Sequence, residues 1–231
     1  VGVTAPIEIV PPAEEPVSYQ TAAYHLRLND YDNNSNDGFF QNEYVSSLIR
    51  AARYQAESFT NRCFVSRTIQ VTFDRFPPYD YNGWDWWNAP GYPSPGVILP
   101  NPITRALRLW GGKVSSIVSF SYVDSLGNTE TLTEGVNYRT HLTHTPPLIY
   151  PQPGTIWPIT QFGALGNVTL QFVAGYGPAA SNVPPDLVMA ILMQIAYLHE
   201  NRGDAKDPSS GGGMSAGAMR ILNDYRLVEY R

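Results

Sequence analysis

The 231-residue sequence contains one cysteine, Cys63, so no disulfide can form within the chain and no thiolate-rich metal site can be built. Charge is scarce as well. Asp, Glu, Lys and Arg make up 15% of the residues, against about 25% in an average soluble domain. The formal net charge of −5 leaves no basic footprint for holding nucleic acid or an anionic membrane by charge. No apolar run approaches the ~20 residues that span a bilayer, and the N-terminal VGVTAPIEIVPP lacks the basic and apolar regions of a signal peptide. These absences predict a soluble protein made in a cytoplasm, with no membrane partner.

Catalytic signatures are also missing. The sequence has no G-x-S-x-G elbow, Walker A loop, dinucleotide fingerprint or H-E-x-x-H. His141 and His144 are three residues apart but fall where strand and turn are expected, and no acidic third ligand is near them. The loop from Asn29 to Gly38, NDYDNNSNDG, interleaves Asp30, Asp32 and Asp37 with asparagines. Counted from Asn33, Gly38 stands sixth as an EF-hand requires, but Tyr44 stands twelfth, where glutamate is needed. A solvated polar loop is expected there. The reading is of a protein that is not an enzyme and needs no metal or cofactor.

What the chain does contain is 43% hydrophobic residues, 20 prolines, 19 glycines and 15 tyrosines, a composition for a folded protein with many turns and aromatic contact surfaces. Its organising stretch is VPPDLVMAILMQIAYLHENR, Val183 to Arg202. Proline is tolerated in a first helical turn and Asp186 complements the helix dipole there. Leu187, Ile191, Ile195 and Leu198 follow helical spacing, and Val188, Met189, Leu192 and Met193 make the flanks apolar too, so this helix must be covered on most sides. A second helix is expected from Asn42 to Asn61. Val45, Leu48, Ile49, Ala52, Ala56 and Phe59 form its apolar stripe, and Arg50, Arg53, Glu57 and Asn61 occupy other faces. Small Ala51, Ala52 and Ala56 suit close approach by the central helix.

After Cys63 the apolar period changes from 3.6 to 2. Ile69, Val71 and Phe73 alternate with polar residues; Val118, Phe120 and Tyr122 repeat this, as do Val168, Leu170 and Phe172. Gly111-Gly112, Leu126-Gly127-Asn128 and Gly166-Asn167 mark turns between them. The fold class predicted is α+β: a helical bundle (17–63 and 178–203) with an inserted antiparallel β region (64–177) and extended N- and C-terminal arms. The arm 1–16 holds Pro6, Pro11, Pro12 and Pro16 and needs a surface on which to become ordered. Ser18 caps a short helix after it. Within the β region, 76–100 is a loop dense in aromatics; Trp84, Trp86, Trp87 and Tyr92 are candidate contact residues. Residues 204–231 form a Gly-rich linker and a docking helix carrying Met219, Ile221, Leu222 and Tyr225, too few apolar residues to fold alone.

The order of these features is similar to that of the phage head-tail connector family. HLRL, LIRAARYQAESFTNR, TIQVTFDRFP, VILPNPITRALRL, SIVSFSYVDSLGNTETL, NYRT, TIWP, VTLQFVAGYG and VPPDLVMAILMQIAYLHENR carry the resemblance over residues 17 to 202. It implies a virion protein assembled in the host cytoplasm, a ring of twelve copies between portal and tail. Such a ring extends the DNA channel and gives the tail or head-completion proteins an attachment surface. Val45, Leu48, Ile49, Ala52, Leu187, Ile191, Ile195 and Leu198 would then serve as helical core and subunit interface, and the C-terminal helix as an anchor. An acidic subunit suits a channel through which DNA slides without sequence-specific binding. The competing reading is a β-rich virion module that contacts sugar or receptor through the tryptophan loop, against which the helices at both ends count; a hydrolase of unrecognised type is a third.

Overall fold

Pro184 and Pro185 begin the most apolar helix of the chain, α3 (Pro185–Glu200), with Asp186 in its first turn and His199 in its last. The missing proline N–H has no helical partner to lose, and the carboxylate of Asp186 suits the N-terminal end of the helix dipole. In the computed structural model, residues 5–28, 36–77, 106–201 and 213–227 are described, with side chains from Asn42 onward in the second stretch. The fold is α+β, with four helices and two antiparallel sheets among these residues. The chain divides into two units, Val1–Ile9 with Thr68–Val173, and Val10–Arg67 with Ala174–Arg231.

The second unit is helical. Helix α1 (Tyr19–His25) is capped by Ser18, whose hydroxyl accepts from the Thr21 N–H at 3.2 Å. Helix α2 (Asn36–Thr60) starts six residues earlier than the apolar stripe predicts, so 36–38 of the expected polar loop are helical. Polar residues add no stripe, yet they extend a helix that is nucleated elsewhere. Asn61, with φ of 55°, turns the chain out of α2. Helix α4 (Ala216–Asn223) follows α3. One core joins these elements: Val45, Ile49, Ala52, Ala56, Phe64, Leu187, Ile191, Ile195, Ala218 and Leu222 are all buried in it.

The first unit is β. One sheet has the order β1-β2-β8-β4-β5 and the other β3-β7-β6. The strands are β1 (Ile7–Val10), β2 (Arg67–Phe73), β3 (Leu107–Arg108), β4 (Val114–Val123), β5 (Thr129–Thr131), β6 (Tyr138–His141), β7 (Leu148–Pro151) and β8 (Val168–Ala174). β2 and β8 alternate buried and half-buried residues along their whole length, the period-2 pattern of a strand with one face in a core. β4 departs from that pattern: Phe120 is buried, Tyr122 half-buried, and Val118 exposed. An aromatic cluster bridges the two sheets. Phe76 stacks on Trp157 at 4.7 Å, and Phe120 meets Tyr138 edge-on at 5.1 Å.

Gly175 and Gly177, just beyond β8, are required by space. A Cβ on Gly175 (φ 140°) would lie 2.5 Å from the Ser66 nitrogen, and one on Gly177 would lie 2.4 Å from the Asn182 side chain.

Candidate interaction surfaces

The helical unit closes over polar groups as well as apolar ones. Arg53 and Glu57 lie one turn apart on α2, on faces other than its apolar stripe, and both are buried. The Arg53 guanidinium donates to Glu15 through Nε and Nη2, at 2.7 and 3.2 Å, and to Glu57 through Nη1 at 3.0 Å. Glu57 also accepts from Arg67 Nη2 and from the Phe64 N–H. Burial pushes the Glu57 carboxyl above its usual range while Arg67 and Arg53 oppose that shift. Burial acts against the charged Arg53 too, but the bonds it donates to Glu15 and the field of Glu57 hold it above its ordinary value. Two arginines against two carboxylates balance the cluster, so removing either partner strands a buried charge. Glu14 accepts from the Ala180 N–H in the same unit. The N-terminal segment thus orders on its own chain, through carboxylates that nothing in the sequence pattern singles out.

The C-terminal helix docks the same way. Gln194, fully buried on α3, donates to Gln55 Oε1 (2.7 Å) and to the Gly213 carbonyl (3.0 Å), and accepts from the Ser215 N–H (2.8 Å). Beyond α4, Leu227 N–H donates to the Thr60 carbonyl and Asn61 Nδ2 to the Leu227 carbonyl, while the Tyr225 hydroxyl donates to Asp186. Of the four expected anchor residues, Leu222 is wholly within the unit's core, and Met219, Ile221 and Tyr225 are half-buried against it. Val45, Leu48, Ile49, Ala52, Leu187, Ile191 and Ile195 are core residues; those with no exposed area have nothing left for a neighbour to touch. Leu198 alone of that set is half-buried.

The β unit, in contrast, holds apolar side chains out of its core. Leu126 is 84% exposed, Ile159 80%, Phe162 102% and Leu165 82%. They sit on two connected turns at one end of β4. Asp124 Oδ1 accepts from the Leu126 and Asn128 N–H groups, both at 2.8 Å, closing the 124–128 turn; these bonds, led by Asn128, hold its carboxyl below the usual range. The 158–167 segment is tied to β4 by Gln161 N–H to the Val123 carbonyl and Val123 N–H to the Asn167 carbonyl. The buried Asn167 amide reaches the carbonyls of Asp74, Gln161 and Ala164 at 2.9–3.0 Å, and Gly166 N–H donates to Asp74 Oδ1. The apolar tip is therefore held in one conformation before anything binds it. Trp84, Trp86, Trp87 and Tyr92 lie outside the described residues, as do 29–35 of the polar loop and 202–212 of the linker.

Among the described residues no group of three His, Cys, Asp or Glu is placed to hold a metal ion, and no helix is long and apolar enough to cross a membrane. His141 and His144 approach to 5.6 Å between ring centres, and His144 Nδ1 donates to the Pro146 carbonyl.

An α+β chain with one closed helical unit and one β unit that presents a rigid apolar tip is the class defined here. Comparison with protein-family models and with curated proteins finds no match. Among solved structures the chain is similar to one from the neck of an empty gene transfer agent (GTA) particle computed with C6 symmetry, at a TM-score of 0.69 and 20% identity. It is likewise similar to a chain of the native GTA virion (0.67, 19%) and to one from the native GTA neck computed with C12 symmetry (0.62, 17%). Each match covers 99% of this chain and 98% of the other. At these identities the likeness is one of fold.

Proposed function

We propose that this chain is a non-enzymatic structural subunit of the neck of a phage-like particle, a head-to-tail adaptor. Copies form a ring beneath the portal, extend the DNA channel and offer the surface to which the tail or head-completion proteins attach. The observation that carries the reading is the end-to-end fold match with neck chains, which takes in both units and leaves almost nothing of either chain unpaired. A match to a common helical or β motif alone would cover one unit.

The physical properties support it. A subunit with a tightly closed helical unit keeps its shape under the load of packaged DNA, and a net charge of −5 repels phosphate, so DNA passes without sticking. In this reading the C-terminal segment serves as a docking element through half-buried Met219 and Ile221 of α4 and Tyr225 just beyond it, while Leu222 stays in its own core. Repetition of a weak contact around a ring multiplies its effect. The test is removal of the chain from a particle-producing host. Filled heads and separate tails that join when purified protein is added back are expected. Normal joined particles without it, or retention of tails on heads, would overturn the assignment.

A further inference from the structure

The chain leaves α2 through residues 61–67, and this connector is secured from two sides inside the helical unit. From α2 itself, the Glu57 carbonyl accepts from the Arg62 N–H at 3.2 Å, which with the left-handed Asn61 (φ 55°) makes a Schellman-type cap. The Glu57 carboxylate accepts from the Phe64 N–H and from Arg67. One residue of α2 thus fixes three points of the connector. The rest of the cap comes from 225–227. The carbonyl of Thr60, a residue with no exposed area, accepts from the Leu227 N–H at 3.0 Å; Asn61 Nδ2 donates to the Leu227 carbonyl at 3.1 Å, and Arg62 Nε to the Tyr225 carbonyl. A helix leaves its last carbonyls without partners of its own, so these bonds are part of how α2 ends.

Resting on the docking role given above to the C-terminal segment, we propose that residues 225–227 are a clasp on the connector, closed in this structure and opened when Tyr225 is taken up by the docking partner. Tyr225 and Leu227 are half-buried at the edge of the unit, and the Tyr225 hydroxyl is held on Asp186 at 3.2 Å. Leu222 and Ala218 fix α4 in the core independently of these bonds. The clasp therefore opens locally, with the core of the unit intact. Opening takes partners from Thr60, Asn61 and Arg62 together. It leaves the connector to Glu57 and to the chain beyond β8, where Ser66 N–H donates to the Gly177 carbonyl and Tyr176 N–H to the Phe64 carbonyl. Docking at the C-terminal segment and the conformational freedom of the chain entering β2 are coupled in this way.

The test is amide hydrogen exchange on the full-length protein. Leu227→Pro removes the donor to Thr60, and Asn61→Gly removes the side-chain donor while tolerating the left-handed backbone. In the double variant the Arg62 and Phe64 amides should exchange roughly tenfold faster, with those of Ile49 and Ile191 unchanged. Unchanged exchange at Arg62 and Phe64 would overturn the clasp, and so would an equal rise at all four positions, which is a loss of stability throughout the unit. Parent protein bound to portal-bearing heads that lack it should show the same faster exchange at Arg62 and Phe64. Exchange there as slow as in the free parent overturns the coupling to docking and leaves the neck assignment standing. Protein that does not bind those heads at all defeats the neck assignment and the trigger with it, while the result on the free protein still judges the clasp.

Discussion

The two units of this chain treat apolar surface in opposite ways. The helical unit draws residues from four helices, the N-terminal segment and the chain beside β2 into one core, and even buries Arg53, Glu57 and Gln194 once each has partners. The β unit has its own core around Phe76, Phe120 and Trp157, yet leaves Phe162, Leu126, Leu165 and Ile159 in solvent on turns built to hold them there. Apolar exposure held by a dense set of hydrogen bonds marks a surface for binding. Dense closure, including polar closure, marks a unit whose task is to be rigid.

The sharpest break of this contrast is a charge in the helical core. Ile191 has no exposed area, so Ile191→Asp is expected to cost more than about 4 kcal/mol and abolish the folded signal in circular dichroism. A cooperative melt near the parent's would remove Ile191 from the core. Next is Glu57→Ala, which leaves Arg53 and Arg67 buried with one carboxylate between them; a loss of about 3–5 kcal/mol in urea unfolding is expected, with Glu15→Ala costing less because Glu15 is partly solvated. Equal costs for the two would mean that Glu57 is not the hub.

Gln194→Leu tests whether the C-terminal helix belongs to the same closure. It leaves the Ser215 N–H and the Gly213 carbonyl without their partner and should cost about 1–3 kcal/mol. Protease cleavage between 202 and 214 should then release α4 from a still folded subunit. Because Leu222 and Ala218 fill the same core, deleting 214–231 should destabilise the subunit as well as impair joining. The smallest effect belongs to the β unit. Asp124 has a folded pKa below the unfolded value of about 3.9, so its contribution is complete above that pH and disappears as pH falls through the lower folded value. Amide exchange at Leu126 and Asn128, monitored from pH 6 to pH 2, should quicken only at the acid end after correction for intrinsic rates. Asp124→Asn should flatten that change while the helical unit stays unaffected.

Periodicity was a good guide wherever one face of an element meets a core. The stripe of Val45, Leu48, Ile49 and Ala52, the apolar surround of α3 and the alternations of β2 and β8 are all visible in residue order, because burial on one side imposes a period of 3.6 or 2. It failed for β4, where Val118 faces solvent in a strand longer than the core it covers. The candidate surface was hidden for a related reason. Ile156, Ile159, Phe162 and Leu165 recur every third residue between Pro153 and Asn167 without forming a helix or strand. That unclaimed repeat among glycines and prolines was the available signal.

By itself the sequence determined the α+β class, the absence of a disulfide, the start of α3 at its proline pair and the dependence of α4 on a docking surface. These follow from local rules: covalent restriction by proline, a single sulfur, and the inability of eight residues to stabilise a helix alone. Only the tertiary structure decided that Arg53 and Glu57 are buried, that Glu15 and Gln194 tie the N-terminal and C-terminal segments to the helical unit, and that Phe162 lies in solvent. Each of those depends on partners 10 to 38 residues away or more, whose approach is set by packing and leaves no mark in residue order.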